Sequence, residues 1–364
     1  MTWSILQYSF KLINCKSSNH NEGEVMEKVK VLVAGTGFIC RVEHLPALSK
    51  MPDVELVGIV SRNINRAKSL AEKYRIKNYY SDYVEALEKS NADIVDVVWP
   101  TYLHKWAVIE AFRHGKHVIV EKPIALRLKD ADEMIHEAKK AHVKFMVAHC
   151  LRYWPEYVII KKIVDSGEIG EPRIARAYRL SEYPPWSPEL WHKDMRRSGG
   201  VIVDLSIHDI DYLRWIMGEV DTVFARGGVY GAHGGDAIDY AHILLKFKNE
   251  TIAYVEGSWI MPKGYGLYTY FELASTKGLL TVEPRAVASV TIYKPGEGRQ
   301  ELVPHSDNAY YLELRAFMDS VKKDVEPPIS GEEAKKSLEV ALAAIKSIYT
   351  REPIKLPLTE EVIE

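Results

Sequence analysis

The apolar positions of this chain fall into two rhythms. In the first, short β-branched runs alternate with segments whose apolar residues recur every three or four positions. Lys30 to Ala34, Val54 to Val60, Lys77 to Tyr80, Asp93 to Val98, His117 to Glu121 and Lys144 to Ala148 read as six strands. The stretches from Gly37 to about Lys50, Asn65 to Lys73, Tyr83 to Lys89, Tyr102 to His114 and Lys129 to Ala141 read as the helices between them. Runs buried on both faces lose the in–out alternation, and strand–helix alternation implies a doubly wound parallel sheet with right-handed crossovers. The second rhythm starts near residue 151. A helix over Tyr157 to Asp165, a strand over Ile174 to Leu180 and a helix over Val201 to Met217 precede about six alternating strands between Thr222 and Tyr293. Tyr240–Lys246 and Thr251–Ser258, turning at Asn249-Glu250, are the clearest pair and predict an antiparallel sheet with one buried face. Ala309 to Lys323 and Glu332 to Tyr349 close the chain as helices. The expected fold is an α/β unit over residues 26–150, followed over 151–364 by an α+β unit with a large, mostly antiparallel sheet. Residues 1–25 lack a basic start and a small-residue cleavage pattern, and read as a poorly ordered leader ahead of Met26.

Composition narrows the partners. The formal net charge of the 364 residues is -2, and no basic block stands out, so nucleic acid is not an expected partner. No apolar run approaches the roughly 20 residues a membrane span needs. Cys15, Cys40 and Cys150 are far apart and show no ligand spacing, so no zinc site, other metal site or disulfide framework is expected. That pattern points to a reduced, cytoplasmic setting.

The chemistry concentrates in three places. Gly35-Thr36-Gly37-Phe38-Ile39 joins the first strand to the first helix, as in a dinucleotide-binding Rossmann unit. There the first glycine makes the turn, and the second lets the backbone approach a pyrophosphate at the helix start. Cys40 stands where the third small residue is usual. The second strand ends in Ser61-Arg62 rather than a carboxylate, which favours the 2′-phosphate of NADP over NAD. The fifth strand ends in Glu121-Lys122-Pro123, and a lysine there lies where open α/β sheets bind ligands. After Ser198-Gly199-Gly200, Asp204 and His208 sit four apart on one predicted helical face, an arrangement that suits a general base with an orienting carboxylate.

Together these motifs resemble the glucose–fructose oxidoreductase / inositol dehydrogenase / rhizopine-catabolism (Gfo/Idh/MocA) family. The likeness extends through Pro100-Thr101-Tyr102-Leu103-His104, Gly115-Lys116-His117-Val118, Glu121-Lys122-Pro123, Trp191, Ser198-Gly199-Gly200, Asp204 and His208. It implies that Lys122 meets nicotinamide and the reacting oxygen, that His208 exchanges the proton, and that Asp204 orients His208 or bonds a neighbouring hydroxyl. It also implies cofactor contacts from Gly35, Thr36, Gly37, Phe38, Ile39, Ser61, Arg62, Pro100, Thr101, His104, Glu121 and Lys122. Arg152, Tyr153, Trp186, Trp191 and His192 would line a sugar or polyol site. The departures are Cys40, Thr101 where Asn is frequent, His192 where Arg is frequent, and His149-Cys150-Leu151-Arg152 without an Asn before the Arg. The implied activity is NAD(P)-dependent oxidation of a secondary alcohol in a cyclic polyol or sugar, in a homodimer or homotetramer. An aldose 1-dehydrogenase, a keto-sugar reductase and a nucleotide-binding regulator without turnover are the alternatives.

Overall fold

The computed structural model describes residues 28–184, 188–231, 233–286, 288–304 and 306–363. The expected leader and Trp186 lie outside the described residues. The first sheet holds β1 (Val29–Ala34), β2 (Val54–Val60), β3 (Asn78–Tyr80), β4 (Ile94–Val97), β5 (His117–Glu121) and β6 (Phe145–Ala148). All its pairings are parallel, in the order β3-β2-β1-β4-β5-β6. The order therefore reverses beside β1, and the crevice between the ends of β1 and β4 is where such sheets take ligands.

Between the strands lie α1 (Leu45–Leu48), α2 (Ile64–Tyr74), α3 (Tyr83–Lys89), α4 (His104–Arg113) and α5 (Leu128–Lys140). The helix expected from Gly37 to Lys50 is not one continuous α-helix. A π-helical turn, Cys40–His44, leads into the short α1, and both Cys40 and His44 are fully buried. Cys40 meets the demand for a small third residue: its thiol donates to the Gly35 carbonyl at 3.0 Å.

The second half opens with α6 (Pro155–Asp165), β7 (Pro172–Glu182), α7 (Met195–Ser198) and α8 (Ile207–Met217). Then come β8 (Val220–Gly228), β9 (Tyr240–Phe247), β10 (Ile252–Met261), β11 (Leu267–Ser275), β12 (Gly278–Val282), β13 (Val290–Lys294) and β14 (Gly298–Leu302). The chain ends with α9 (Ala309–Lys322), α10 (Gly331–Thr350) and β15 (Ile354–Lys355). These strands form a nine-stranded sheet, antiparallel except where β7 pairs in parallel with β10. Ala253, Val255, Ile243, Leu245, Phe271 and Leu273 face inward and are buried, with α8 and α10 packed against the sheet. The alternate positions face outward, among them half-buried Tyr178, Tyr254 and Tyr270 and exposed Leu244 and Ile252.

Helix α9 comes from the end of the chain yet covers the first sheet. Leu314, Phe317 and Met318 join the buried cluster of Val33, Ile59 and Ile119. Arg315 bonds Asp53 at 2.6 Å, and Lys322 reaches the same carboxylate.

Candidate active site

The glycine turn shows two opposite environments. Gly35 has a φ of +145°, and a Cβ there would lie 2.7 Å from the Val98 carbonyl oxygen, so only glycine fits. A Cβ on Gly37 would meet nothing within 4 Å. That open space above the start of the π-helical turn matches what a pyrophosphate needs, so these residues fit a dinucleotide. Thr36 and Ser61 share a buried hydrogen bond of 2.8 Å, tying the end of β2 to the turn.

The end of β5 is held from beneath. His44 Nδ1 donates to Asp96 at 3.0 Å and Nε2 to Glu121 at 3.0 Å. Burial opposes a charge on His44, but Asp96 and then Glu121 outweigh it and hold the imidazole well above its usual range. Burial would raise Glu121, and His44 overcomes it to leave the carboxyl below its usual value. The other Glu121 oxygen accepts the Lys122 backbone N–H at 3.1 Å. The turn carrying Lys122 thus rests on a buried, charged frame. Glu313 of α9 lies nearby, fully buried and without a hydrogen-bond partner. Burial, then the Glu121 charge, pushes its carboxyl well above the usual range, which favours the protonated acid.

From this frame Lys122 reaches into the second unit. Its Nζ donates to the Asp204 backbone carbonyl at 2.7 Å and lies 3.7 Å from Asp204 Oδ1. Asp204 sits in a second π-helical turn, Ile202–Ser206, which runs into α8 and so presents His208. Such turns often occur at functional sites. The carboxylate does not bond His208. Its Oδ2 instead faces His192 Nε2 at 3.7 Å. Sequence spacing placed Asp204 and His208 on one helical face; Asp204 turns to Lys122 and His192. His208 Nδ1 is buried without a hydrogen-bond partner. Burial, then Lys122, then Arg179, holds His208 well below the usual imidazole range, so the ring is neutral and able to accept a proton. Flanking it on α8, Asp209 grips Arg179 at 2.9 Å twice and Asp211 grips Arg152 at 2.7 and 2.8 Å. Buried two-point ion pairs of this kind fix the rotation of the helix more than they add stability.

Sequence-family models decide the wider kinship. An oxidoreductase family with an NAD-binding Rossmann fold matches residues 29–149, and the GFO/IDH/MocA C-terminal domain matches 157–281. The chain belongs to the Gfo/Idh/MocA oxidoreductase family. It is 32% identical to the myo-inositol 2-dehydrogenase of Thermotoga maritima, over 92% of this chain and 100% of that one. It is 28% identical to the scyllo-inositol 2-dehydrogenase (NAD(+)) of Bacillus subtilis, over 90% and 96%. A crystal structure of a probable dehydrogenase from Thermotoga maritima superposes with a TM-score of 0.77 at 30% identity, covering 90% and 98%. This Gfo/Idh/MocA member is thus an oxidoreductase with an NAD-binding Rossmann domain, as its motifs imply.

Within this Gfo/Idh/MocA site the remaining expected residues divide. His192 stands beside Asp204, with the Trp191 ring stacked on it at 3.8 Å and Trp259 meeting it edge-on at 5.5 Å. Arg152, expected at the sugar, is instead a buried structural cation spent on Asp211, because α8 needs its two aspartates neutralised. Tyr153 packs against the core of the first sheet, its hydroxyl buried without a hydrogen-bond partner. His104, expected at the cofactor, is fully buried, with its ring nitrogens 2.9 Å from the Pro123 carbonyl and 2.8 Å from the Trp99 carbonyl. It braces the Lys122 turn from within. Glu121 faces His44 and its own backbone in the same way. Pro100 and buried Thr101 open the short 3-10 turn that leads into α4, while Phe38 is exposed beside the glycine turn. Sequence reasoning missed His44, Asp96 and Tyr183. An ionisable His and Asp inside apolar runs were the available signal for the first two. Tyr183 stacks on His233 at 4.5 Å, and its buried hydroxyl has no hydrogen-bond partner; that pairing joins two loops and leaves no local pattern.

Proposed function

We propose that the protein oxidises a secondary hydroxyl of a cyclic polyol or sugar, as the names of its inositol-dehydrogenase relatives would lead one to expect. The observation that carries this reading is the convergence of the Lys122 ammonium, from β5, with Asp204 and the helix bearing His208. The bound nicotinamide supplies the hydride acceptor. His208 takes the hydroxyl proton, for which its neutral ring is suited. Lys122 donates to the same oxygen and stabilises the negative charge that grows there. Asp204, between Lys122 and His192, accepts from a neighbouring hydroxyl. Trp191 offers an aromatic wall for the ring.

Ser61 and the exposed Arg62 end β2 where the sequence itself carries no Asp or Glu, which supports use of NADP as well as NAD. The outward face of the nine-stranded sheet, with its tyrosines and exposed Leu244 and Ile252, supports a homodimer or homotetramer built through it. Light scattering in solution checks this, and a monomer would exclude it. Among the described residues no helix is long and apolar enough to cross a membrane. The free, buried thiols of Cys40 and Cys150 support a reduced, cytoplasmic setting.

The test is a panel of inositols, aldoses and keto-sugars, assayed with NAD and NADP in parallel on the wild type and Lys122→Ala. The variant loses about 10²-fold or more in kcat while still binding NADH, because one donor to a developing oxyanion is worth that much. Near-wild-type turnover by Lys122→Ala would refute the role given to the ammonium. Preference for an aldose or for ketone reduction would select one of the neighbouring activities. Tight NADH binding with no turnover of any panel member would favour a regulator.

A further inference from the structure

Beyond the glycine turn, the crevice carries an aromatic group that the chemistry above does not use. Trp99 lies two residues past β4, at the strand-order reversal. Its indole edge packs against the turn: Cδ1 would be 3.3 Å from a Cβ on Gly35. Trp106, in the first turn of α4, stacks on Trp99 with ring centroids 5.8 Å apart and planes only 9° from parallel. Tyr83, at the start of α3, braces both rings from the side, at 4.8 and 5.4 Å. The Tyr83 hydroxyl is anchored on the Ala107 carbonyl at 2.9 Å, so the group is held rigidly to α4. Despite this company, Trp106 remains 50% exposed. A rigid, braced indole pair with half of one ring open to solvent is a prepared π surface.

The position along the crevice identifies what covers it. Lys122 at the end of β5 marks the nicotinamide end, and the open space at Gly37 marks the pyrophosphate. The other half of the dinucleotide must then run toward the end of β2, where Ser61 lies, and past the start of α3, which packs beside β2 and whose Tyr83 touches Trp106. The planar group in that half is adenine. We infer that the Trp99–Trp106 pair is a stacking platform for the adenine base of the dinucleotide, giving this chain an affinity for the adenosine half that its polar contacts do not supply. The inference rests on the dinucleotide reading of the cleft. Base–aromatic stacking is insensitive to the 2′ position, so the platform serves NAD and NADP alike.

Calorimetric titration of the full-length protein separates the two readings. ADP-ribose probes the adenine half, and nicotinamide mononucleotide the other. Trp106→Ala and Trp106→Leu both weaken ADP-ribose binding by roughly 5- to 150-fold, the loss expected for one stacked base. Trp106→Phe, which keeps a ring, stays within a few-fold of wild type. All three leave nicotinamide mononucleotide binding unchanged, which also certifies that they are folded. Unaltered ADP-ribose affinity in Trp106→Ala, or a Leu variant that binds as well as Phe, overturns the platform while leaving the dinucleotide site standing. A wild type that binds neither ADP-ribose nor NADH overturns both.

Discussion

At His208, burial and the Lys122 ammonium act in the same direction, and both disfavour a second proton on the ring. His44 meets the opposite outcome only about one strand away, because two carboxylates, Asp96 and Glu121, outweigh its burial. Two imidazoles of one chain therefore take different charge states for reasons visible in their neighbours. The charged one builds the frame under Lys122. The neutral one accepts the proton. This separation has a kinetic consequence. Oxidation requires His208 unprotonated, and its pKa lies below the ordinary 6.5. The acid limb of kcat/KM for alcohol oxidation accordingly falls below pH 6.5, and His208→Gln removes that limb along with most of the turnover. A limb centred at or above 6.5 in the wild type would assign it to another group.

At the scale of elements, the first sheet is tied to the far end of the chain. Phe317 of α9 is fully buried against it, beside Leu314 and Met318. Phe317→Ala should cost about 3–5 kcal/mol, the range for removing a buried aromatic side chain, read as a lowered midpoint in urea unfolding. A change under about 1 kcal/mol would mean that α9 is a dispensable cover. Nothing local in Ala309–Lys322 announces this docking, since an amphipathic helix shows that it has a partner but not which one. The same limit explains what else was hidden. The six parallel strands and α3 were legible because buried β-branched runs and helical periodicity are local. That β7 inserts between β11 and β10, parallel to the latter, depends on contacts some eighty residues apart. The edge strand β14, with Arg299, Gln300 and Glu301, has too little apolar content to read as a strand. Lys122, Asp204 and His208 were legible as candidates from their setting. The π-helical turn that swings Asp204 toward His192 was not, because spacing arguments assume α geometry.

On the scale of the whole molecule, the two units are pinned across the cleft by Lys122 on Asp204 and by Arg197 on the Tyr102 hydroxyl at 2.6 Å, while Arg315 on Asp53 ties α9 to the opposite end of the first sheet. The fold also keeps several buried or half-buried histidines neutral. His104, His117, His149, His192 and His208 all lie below the usual 6.5, chiefly through burial, and His149 is pushed down to about 4. In the unfolded chain each takes a proton near 6.5, whereas the native state resists it. Between those values the unfolded state binds more protons, so native stability falls as pH falls. Glu313 opposes this, since its native carboxyl keeps a proton that the unfolded chain gives up above 4.5. His44 is neutral to the balance here, being protonated in both states below 6.5. Five groups against one set the sign. Each can contribute up to about 1.4 kcal/mol per pH unit while it titrates. The melting temperature therefore drops steadily as the pH is lowered from 6.5 toward 4, ahead of the ordinary carboxylate range. Calorimetric melts across that window check it, and His149→Phe, which removes one of the five without adding a polar group, makes the decline shallower. A melting temperature that holds level or rises on acidification would show that the unpartnered acid of α9, rather than the buried imidazoles, governs the response.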